Sequence, residues 1–269
     1  MKNVQKVIAG VVFGAAGMGA AQAEWSANIG VASSYIFRGI EFSDDAAVSG
    51  GLDWSSDISG LYAGTWITSV GGSGNSQGVT VKSGNEVDIY GGYAFDLGGG
   101  LGLDLGAILY LFPSDPEGQG SHGNNSEIYV GLGGSYWSTT VWYNFGFDGN
   151  FTGVGDSGDE EFVYVEANYE VPLRGQFSLG LHAGYTALTG DDYDRFDDPN
   201  NAGTTLDISD NGYIDYGISV NAGDFSLAVT ATDLDDDHDL VEAGFYTESD
   251  RPVVTVSWSK TWEGLGNAK

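Results

Sequence analysis

The chain has 269 residues, with 9 basic and 38 acidic side chains and a formal net charge of −29 at neutral pH. An acidic balance of that size excludes nucleic acid as a partner, disfavours anionic lipid surfaces and favours cations. The absence of cysteine excludes a disulfide framework and thiol or Cys-ligated metal chemistry, while 44 Gly against 5 Pro and 13% aromatics fit a β-rich chain with many tight turns.

Lys2 and Lys6 precede an apolar run from Val7 to Ala16, and Ala21-Gln22-Ala23 stands before Glu24. This is the pattern of a secretory signal peptide cut after Ala23. The run is too short for a spanning helix, which needs about 20 apolar residues. Cleavage leaves seven basic against 38 acidic residues, a net charge of −31. No second long apolar run follows, so any membrane span has to be a strand.

From Trp25 to Arg38 the side chains alternate, with Trp25, Ala27, Ile29, Val31, Tyr35 and Phe37 on an outer face and Ser26, Asn28, Gly30, Ala32, Ser34 and Arg38 on an inner one. Period two predicts a strand. An acidic loop (Glu41, Asp44, Asp45) leads to a second strand with Val48, Leu52 and Trp54 outward and Asp53 inward. In a third, Leu61 to Val70, Tyr62/Trp66 and Leu61/Ala63/Ile67 are both plausible outer faces, and the register stays open.

After a Gly/Ser/Asn loop comes the clearest hairpin of the chain, Glu86 to Pro113. Val87, Ile89, Tyr93, Phe95 and Leu97 lie opposite Glu86, Asp88, Tyr90 and Asp96, and beyond Gly98-Gly99-Gly100 the leucines 101, 103, 105, 109 and 111 lie opposite Asp104, Ile108 and Tyr110. So short a turn makes the two strands antiparallel. Each arm has about the 9 to 11 residues that a tilted strand needs to cross a bilayer.

The same plan continues. Strand six sets Ile128, Val130 and Leu132 against Glu127 and Tyr129, and strand seven sets Val141, Tyr143, Phe145 and Phe147 against Thr140, Trp142 and Asn144. Strand eight sets Val163, Val165, Ala167, Tyr169 and Val171 against Tyr164, Glu166, Asn168 and Glu170, and strand nine sets Phe177, Leu179, Leu181 and Tyr185 against Ser178 and His182. An Asp-rich loop, about 188–211, precedes strand ten, with Ile214, Tyr216, Ile218 and Val220 opposite Asp215. Phe225 to Ala231 and Val254 to Trp262 complete twelve strands.

Long and short connections alternate strictly, and about two thirds of the acids lie in the six long ones. A transmembrane barrel has that asymmetry, with short periplasmic turns and long external loops, and an even strand number leaves both termini in the periplasm. A soluble sandwich has no reason for it. The inner face carries Arg38, Asp53, Asp88, Asp104, Glu127, Glu166, Glu170, His182 and Asp215. A one-residue slip would drive these charges into lipid at about 1 to 4 kcal/mol each. Aromatics near strand ends, among them Trp25, Tyr35, Phe37, Trp54, Tyr136, Phe147, Tyr169, Phe177, Tyr185 and Trp262, are placed for interfacial girdles. The expected fold is all-β: an antiparallel transmembrane β-barrel of twelve strands in up-and-down order, spanning residues 24–262, with a short C-terminal tail, 263–269.

The stretches SYIFRGIEFSDDAAVSGGLDW, GLYAGTWITSV, EVDIYGGYAFDLGGGLGLDLGAILYLFP and SEIYVGLGGSYW resemble the TorF-type porins of proteobacteria, in order along most of the mature chain. The FRG of the first strand and the YAGTW of the third are the most specific pieces. The resemblance implies an outer-membrane location in a Gram-negative bacterium and a channel, and it brings no catalytic motif, cofactor or established substrate. The end, VSWSKTW, is similar to the terminal strand of such proteins, which usually stop at the aromatic; here EGLGNAK follows Trp262.

Twelve strands at about 4.8 Å spacing and about 40° tilt give a backbone radius of about 12 Å and a passage of at most about 10 Å. Tyr110, Tyr129, Trp142 and Tyr164 would narrow it. The expected function is passive diffusion of small hydrophilic solutes through a narrow pore whose inner carboxylates favour cations. The bland alternative is that these acids pair with Arg38 in a blocked lumen. The spacing of Asp233, Asp235, Asp237 and Asp239 is a weak match to a calcium loop, because His238 stands where the motif requires Gly, and a solvated acidic face explains the run equally well. A second acidic loop holds Asp191, Asp192, Asp194, Asp197 and Asp198, and divalent ions there would bridge to lipopolysaccharide. Two other classes stay open: a structural or adhesive barrel without transport, and a barrel hydrolase using Asp237-His238 with Asp191 or Asp192. The expected partners are outer-membrane lipid, small solutes or cations, and further copies of the chain as a homo-oligomer.

Overall fold

The computed structural model describes residues 24–43, 45–56, 59–71, 84–113, 124–144, 162–189, 196–197, 205–206, 212–238, 241 and 250–265. The predicted signal peptide, Phe145, Phe147, His122, most of the Asp-rich 188–211 loop, Asp239 and residues 266–269 lie outside them.

The described strands are, in chain order, β1 (Glu24–Ala32), β2 (Tyr35–Phe37), β3 (Ile40–Ser43), β4 (Ala47–Ser55), β5 (Leu61–Val70), β6 (Gly84–Gly98), β7 (Leu101–Leu111) and β8 (Asn125–Gly133). They continue as β9 (Trp137–Asn144), β10 (Phe162–Pro172), β11 (Phe177–Leu188), β12 (Phe196–Asp197), β13 (Thr205–Leu206), β14 (Gly212–Ala222), β15 (Phe225–Thr232) and β16 (Val253–Trp262). Leaving out the two small hairpins β2–β3 and β12–β13, twelve strands form one closed antiparallel barrel in up-and-down order. Closure is made by β16 on β1, with Ala27 opposite Trp262 and Val31 opposite Trp258, so the wall has no free edge. The turns after β4, β6, β8, β10 and β14 are short, and the six longer connections all lie at the opposite end.

Outward positions are apolar and exposed: Ile29, Leu52, Ile67, Ile89, Leu109, Val130, Leu181, Ile218 and Val256 are each more than a third accessible. An apolar belt running round the whole wall far exceeds the few hundred square ångströms that a water-soluble surface carries, so its solvent is the hydrocarbon of a bilayer. Trp25, Tyr136, Tyr169, Phe177, Phe225 and Trp262 ring the short-turn end as an aromatic girdle. In β5 the open register resolves to Leu61, Ala63 and Ile67 outward, because Tyr62 and Trp66 bond or pack inside.

The first strand departs from the expectation. It ends at Ala32 rather than running to Arg38, and Tyr35 and Phe37 lie in the lumen rather than on the outer face or in a girdle. The cause is Ser33-Ser34. Ser33 bonds Val256 through its own N–H (2.9 Å) and accepts the Val256 N–H on its hydroxyl (3.0 Å), while the Ser34 and Thr255 hydroxyls meet at 3.0 Å. These bonds replace the barrel ladder and bend the chain inward. The acidic loop expected after Arg38 is then the second arm of a hairpin, β3.

Candidate functional site

Hairpin β2–β3 turns on Arg38-Gly39, both at positive φ (49° and 80°), the pattern of a tight two-residue hairpin turn. Gly39 is required twice over. A Cβ there would stand 2.5 Å from Thr232 Cγ2 and 2.6 Å from Asp215 Cβ, so the tip is pressed against the wall at β14 and β15. Along its length the hairpin meets most of the barrel. Tyr35 packs on Trp66 and donates to Glu86 Oε1 (3.1 Å), Phe37 packs edge-on to Tyr110, and the Arg38 carbonyl accepts from Tyr213 (3.1 Å). At its base Gly71 N–H donates to Phe42 O (3.0 Å), and the Ser43 hydroxyl donates to Gly71 O (2.8 Å).

Arg38 is the centre of this arrangement. Both guanidinium ends reach Glu127 at 2.8 Å, a fork-to-fork pair with side chains 7% and 0% exposed. Tyr110 donates to the same carboxylate (3.0 Å). The guanidinium lies over the rings of Tyr164, Phe37, Phe162 and Trp142, with centroids 4.3 to 5.8 Å away. Burial works against its charge, but Glu127 more than offsets that, and its pKa is raised. With Ile108, Phe112, Leu188, Tyr213 and Leu234 these groups form the buried cluster of the molecule, at the long-connection end of the lumen.

The expected inward residues are brought together there and below. Asp88 is 4% exposed beside Glu86, and Asp215 is fully buried. His182 Nε2 meets Asp215 Oδ1 at 2.7 Å, and its Nδ1 meets Asn168 Oδ1 at 2.7 Å, with the Asn168 amide donating to Glu166 Oε2 (3.3 Å). Both ring nitrogens therefore face acceptors, the pattern that an imidazolium satisfies. Trp142 Nε1 donates to Glu166 Oε1 (3.3 Å). Toward the short turns Tyr90 donates to Asp53 and Tyr62 donates to Asp104, while the Tyr62 and Tyr129 hydroxyls touch. Glu170 also takes an inward place there, by its position in the alternation of β10.

Glycines hold these rings flat on the wall. Tyr62 stands opposite Gly92, Tyr90 opposite Gly64 and Tyr129 opposite Gly106, and a Cβ on any of the three glycines would run into the ring it faces. The lumen at this level is therefore lined by ring faces, phenol hydroxyls and carboxylates.

Sequence reasoning missed six members of the cluster, Ile40 on the hairpin and Val70, Phe162, Leu188, Tyr213 and Leu234, the last five sitting where strands enter or leave long connections. The aromatics among them alternate correctly with their neighbours, a signal available in principle. The acidic connection after β15 spends its carboxylates on backbone: Asp233 Oδ1 accepts the Ile214 N–H of β14 (2.7 Å) and Asp235 Oδ1 the Asp237 N–H of the connection itself (3.2 Å). Among the described residues no three carboxylate or imidazole groups converge to hold a metal.

Fold and lumen together define a class: a bilayer-spanning twelve-stranded barrel whose first long connection folds inward as a charged plug. The chain belongs to a family of bacterial proteins of unknown function (Gcw_chp), whose model matches residues 16–260. No curated protein matches it. Among solved structures it is similar to an outer-membrane channel from Pseudomonas putida F1 (13% identity, TM-score 0.48, 94% of this chain and 99% of that one). It is also similar to the NanC porin (12%, 0.45, 88% and 98%) and to the KdgM porin in complex with disordered oligogalacturonate (8%, 0.44, 89% and 98%). At these values the likenesses add nothing to what the strand pairing itself establishes.

Proposed function

We propose that the chain is an outer-membrane porin of a Gram-negative bacterium, a narrow channel for passive diffusion of small hydrophilic solutes with a preference for cations. The observation that carries this reading is the lumen itself. A barrel kept only as a wall has no use for a polar interior, whereas here carboxylates and phenol hydroxyls line the short-turn half, and the filling of the other half turns on a single charged side chain. Among the described residues that face the lumen are the carboxylates of Asp53, Glu86, Asp88, Asp104, Glu127, Glu166, Glu170 and Asp215, against one arginine, Arg38. That excess supports cation preference. The signal-peptide pattern of residues 1–23 and the resemblance to TorF-type porins agree with it, and the apolar belt fits lipid, lipopolysaccharide or a neighbouring copy. In the outer membrane the long connections, and with them the hairpin, face outward.

The bidentate Arg38–Glu127 pair favours a second reading, a closed barrel with a structural role. Single-channel recording of the refolded mature chain in a planar bilayer under a KCl gradient separates the two. Discrete steps with a cation-selective reversal potential are expected for the channel. A correctly folded barrel that stays silent at every voltage overturns it.

A further inference from the structure

Glu86 and Asp88 stand two residues apart on the inward face of β6, 2% and 4% exposed, so their carboxyls are neighbours in one buried place. A carboxylate only accepts, so two buried neighbours can bond to each other only when one of them carries a proton. Among the described residues the surroundings supply no alternative counter-charge. Tyr35 on β2 donates to Glu86 (3.1 Å), Tyr110 on β7 and Glu127 on β8 face Asp88, Tyr90 follows on β6, and β5 offers Trp66 and Thr68. Arg38, which shares Tyr110 and Glu127 with this level of the lumen, has both ends of its guanidinium committed to Glu127. Glu41 on β3 is the hairpin's own acid and adds to the negative side. Asp88 Oδ1 is buried with no hydrogen-bond partner among the described residues.

We propose that Glu86 and Asp88 form a single-proton site that latches hairpin β2–β3 inside the lumen, and that loss of this proton releases it. With the proton in place the pair carries one charge, and Tyr35 seals it by bonding to Glu86. Without it two adjacent carboxylates are buried with no cation among the described residues beside them, and they repel each other. Water relieves that repulsion, and water enters where Tyr35 lifts away. The latch is therefore closed at low pH and opens as pH rises through the ionisation of the pair. As the regulator of a passage it rests on the channel reading above; as a proton site it does not.

Infrared spectra of the lipid-reconstituted barrel at stepped pH test the site. The expected result is a protonated-carboxyl C=O band that is present at neutral pH, is lost as pH rises and is missing from D88N. Hairpin release is read separately with I40C, in a chain that has no other cysteine. Ile40 is 5% exposed, so a cysteine there is shielded from maleimide while the hairpin is docked. Labelling, corrected for thiolate fraction, should rise with pH in I40C and stay flat in I40C/D88N, because the amide of D88N donates to Glu86 at every pH. Should D88N fail to fold, E86Q places the donor on the other partner and carries the same expectation. No band at neutral pH, a band that survives in both single variants, or identical labelling profiles overturns the proposal. A barrel that shows the band and the labelling shift yet passes no current overturns the channel reading and leaves the latch standing.

Discussion

Arg38 concentrates more of the molecule's energetics than any other described residue. It occupies a left-handed backbone conformation that costs a non-glycine residue about 1 to 2 kcal/mol. It keeps that place because its side chain is paired, stacked and almost fully buried. R38A leaves Glu127 buried without a counter-charge and should lower stability by about 3 to 5 kcal/mol in urea unfolding from lipid vesicles. R38M/E127L removes both charges and should recover most of that loss, the difference measuring uncompensated burial rather than the worth of the pair. If R38A matched the parent, the pair would be an ornament of a hydrated lumen. G39A forces a Cβ into Thr232 and Asp215 at φ 80° and should undock the tip even though Arg38 is untouched. Faster protease cutting near residue 40 would report it.

The unit that closes the lumen is a nine-residue hairpin, and it is not part of the wall. β1 pairs directly with β4 from Glu24 opposite Ser55 to Ala32 opposite Ala47, so the wall is complete without residues 35–43. Replacing them with a short Gly/Ser linker should leave a heat-modifiable, folded barrel, since Ala32 and Ala47 are already neighbours. Single-channel conductance should rise several-fold over the parent, and an unchanged conductance would place the constriction elsewhere. The flat tyrosines are the wall's own narrowing device. G106V removes the space under Tyr129 and should swing that ring toward the axis, lowering conductance while strand pairing persists, since the atoms nearest a Cβ there all belong to the Tyr129 side chain.

At the scale of the whole molecule two solvents divide the sequence. A lysine in place of the outward Val130, within β8, meets hydrocarbon and should cost about 2 to 4 kcal/mol, whereas the inward T140S on the neighbouring β9, opposite Glu166, should cost well under 1 kcal/mol. Guanidinium unfolding from vesicles compares them, and equal costs would mean that the belt is not in lipid. Charge selectivity belongs to the same scale, because it sums over the lumen. D53N/D104N/E170Q neutralises three inward acids and leaves Arg38–Glu127 intact; the reversal potential in a KCl gradient should shift toward zero. An unshifted potential would assign selectivity to the plug.

The alternation of side chains by itself determined the barrel: which residues meet lipid, which face inward, the strand number, and the grouping of long connections at one end. Period two and turn chemistry are local, and a one-residue slip is penalised at every strand, so these features are written residue by residue. Asp53, Asp88, Asp104, Glu127, Glu166, His182 and Asp215 were legible as inward for that reason, and Tyr110, Tyr129, Trp142 and Tyr164 as narrowing groups. The tertiary structure alone decided the fate of Tyr35-Ile36-Phe37-Arg38. Their alternation continues that of β1 without a break, and only the bonds of Ser33 and Ser34 to β16, more than 200 residues away, turn them inward. Partnerships are non-local in the same way. That Arg38 would choose Glu127 among the inward acids, or that Glu86 and Asp88 would be shut in together under Tyr35, depends on how a closed wall brings distant strands to one level, and no spacing along the chain encodes it.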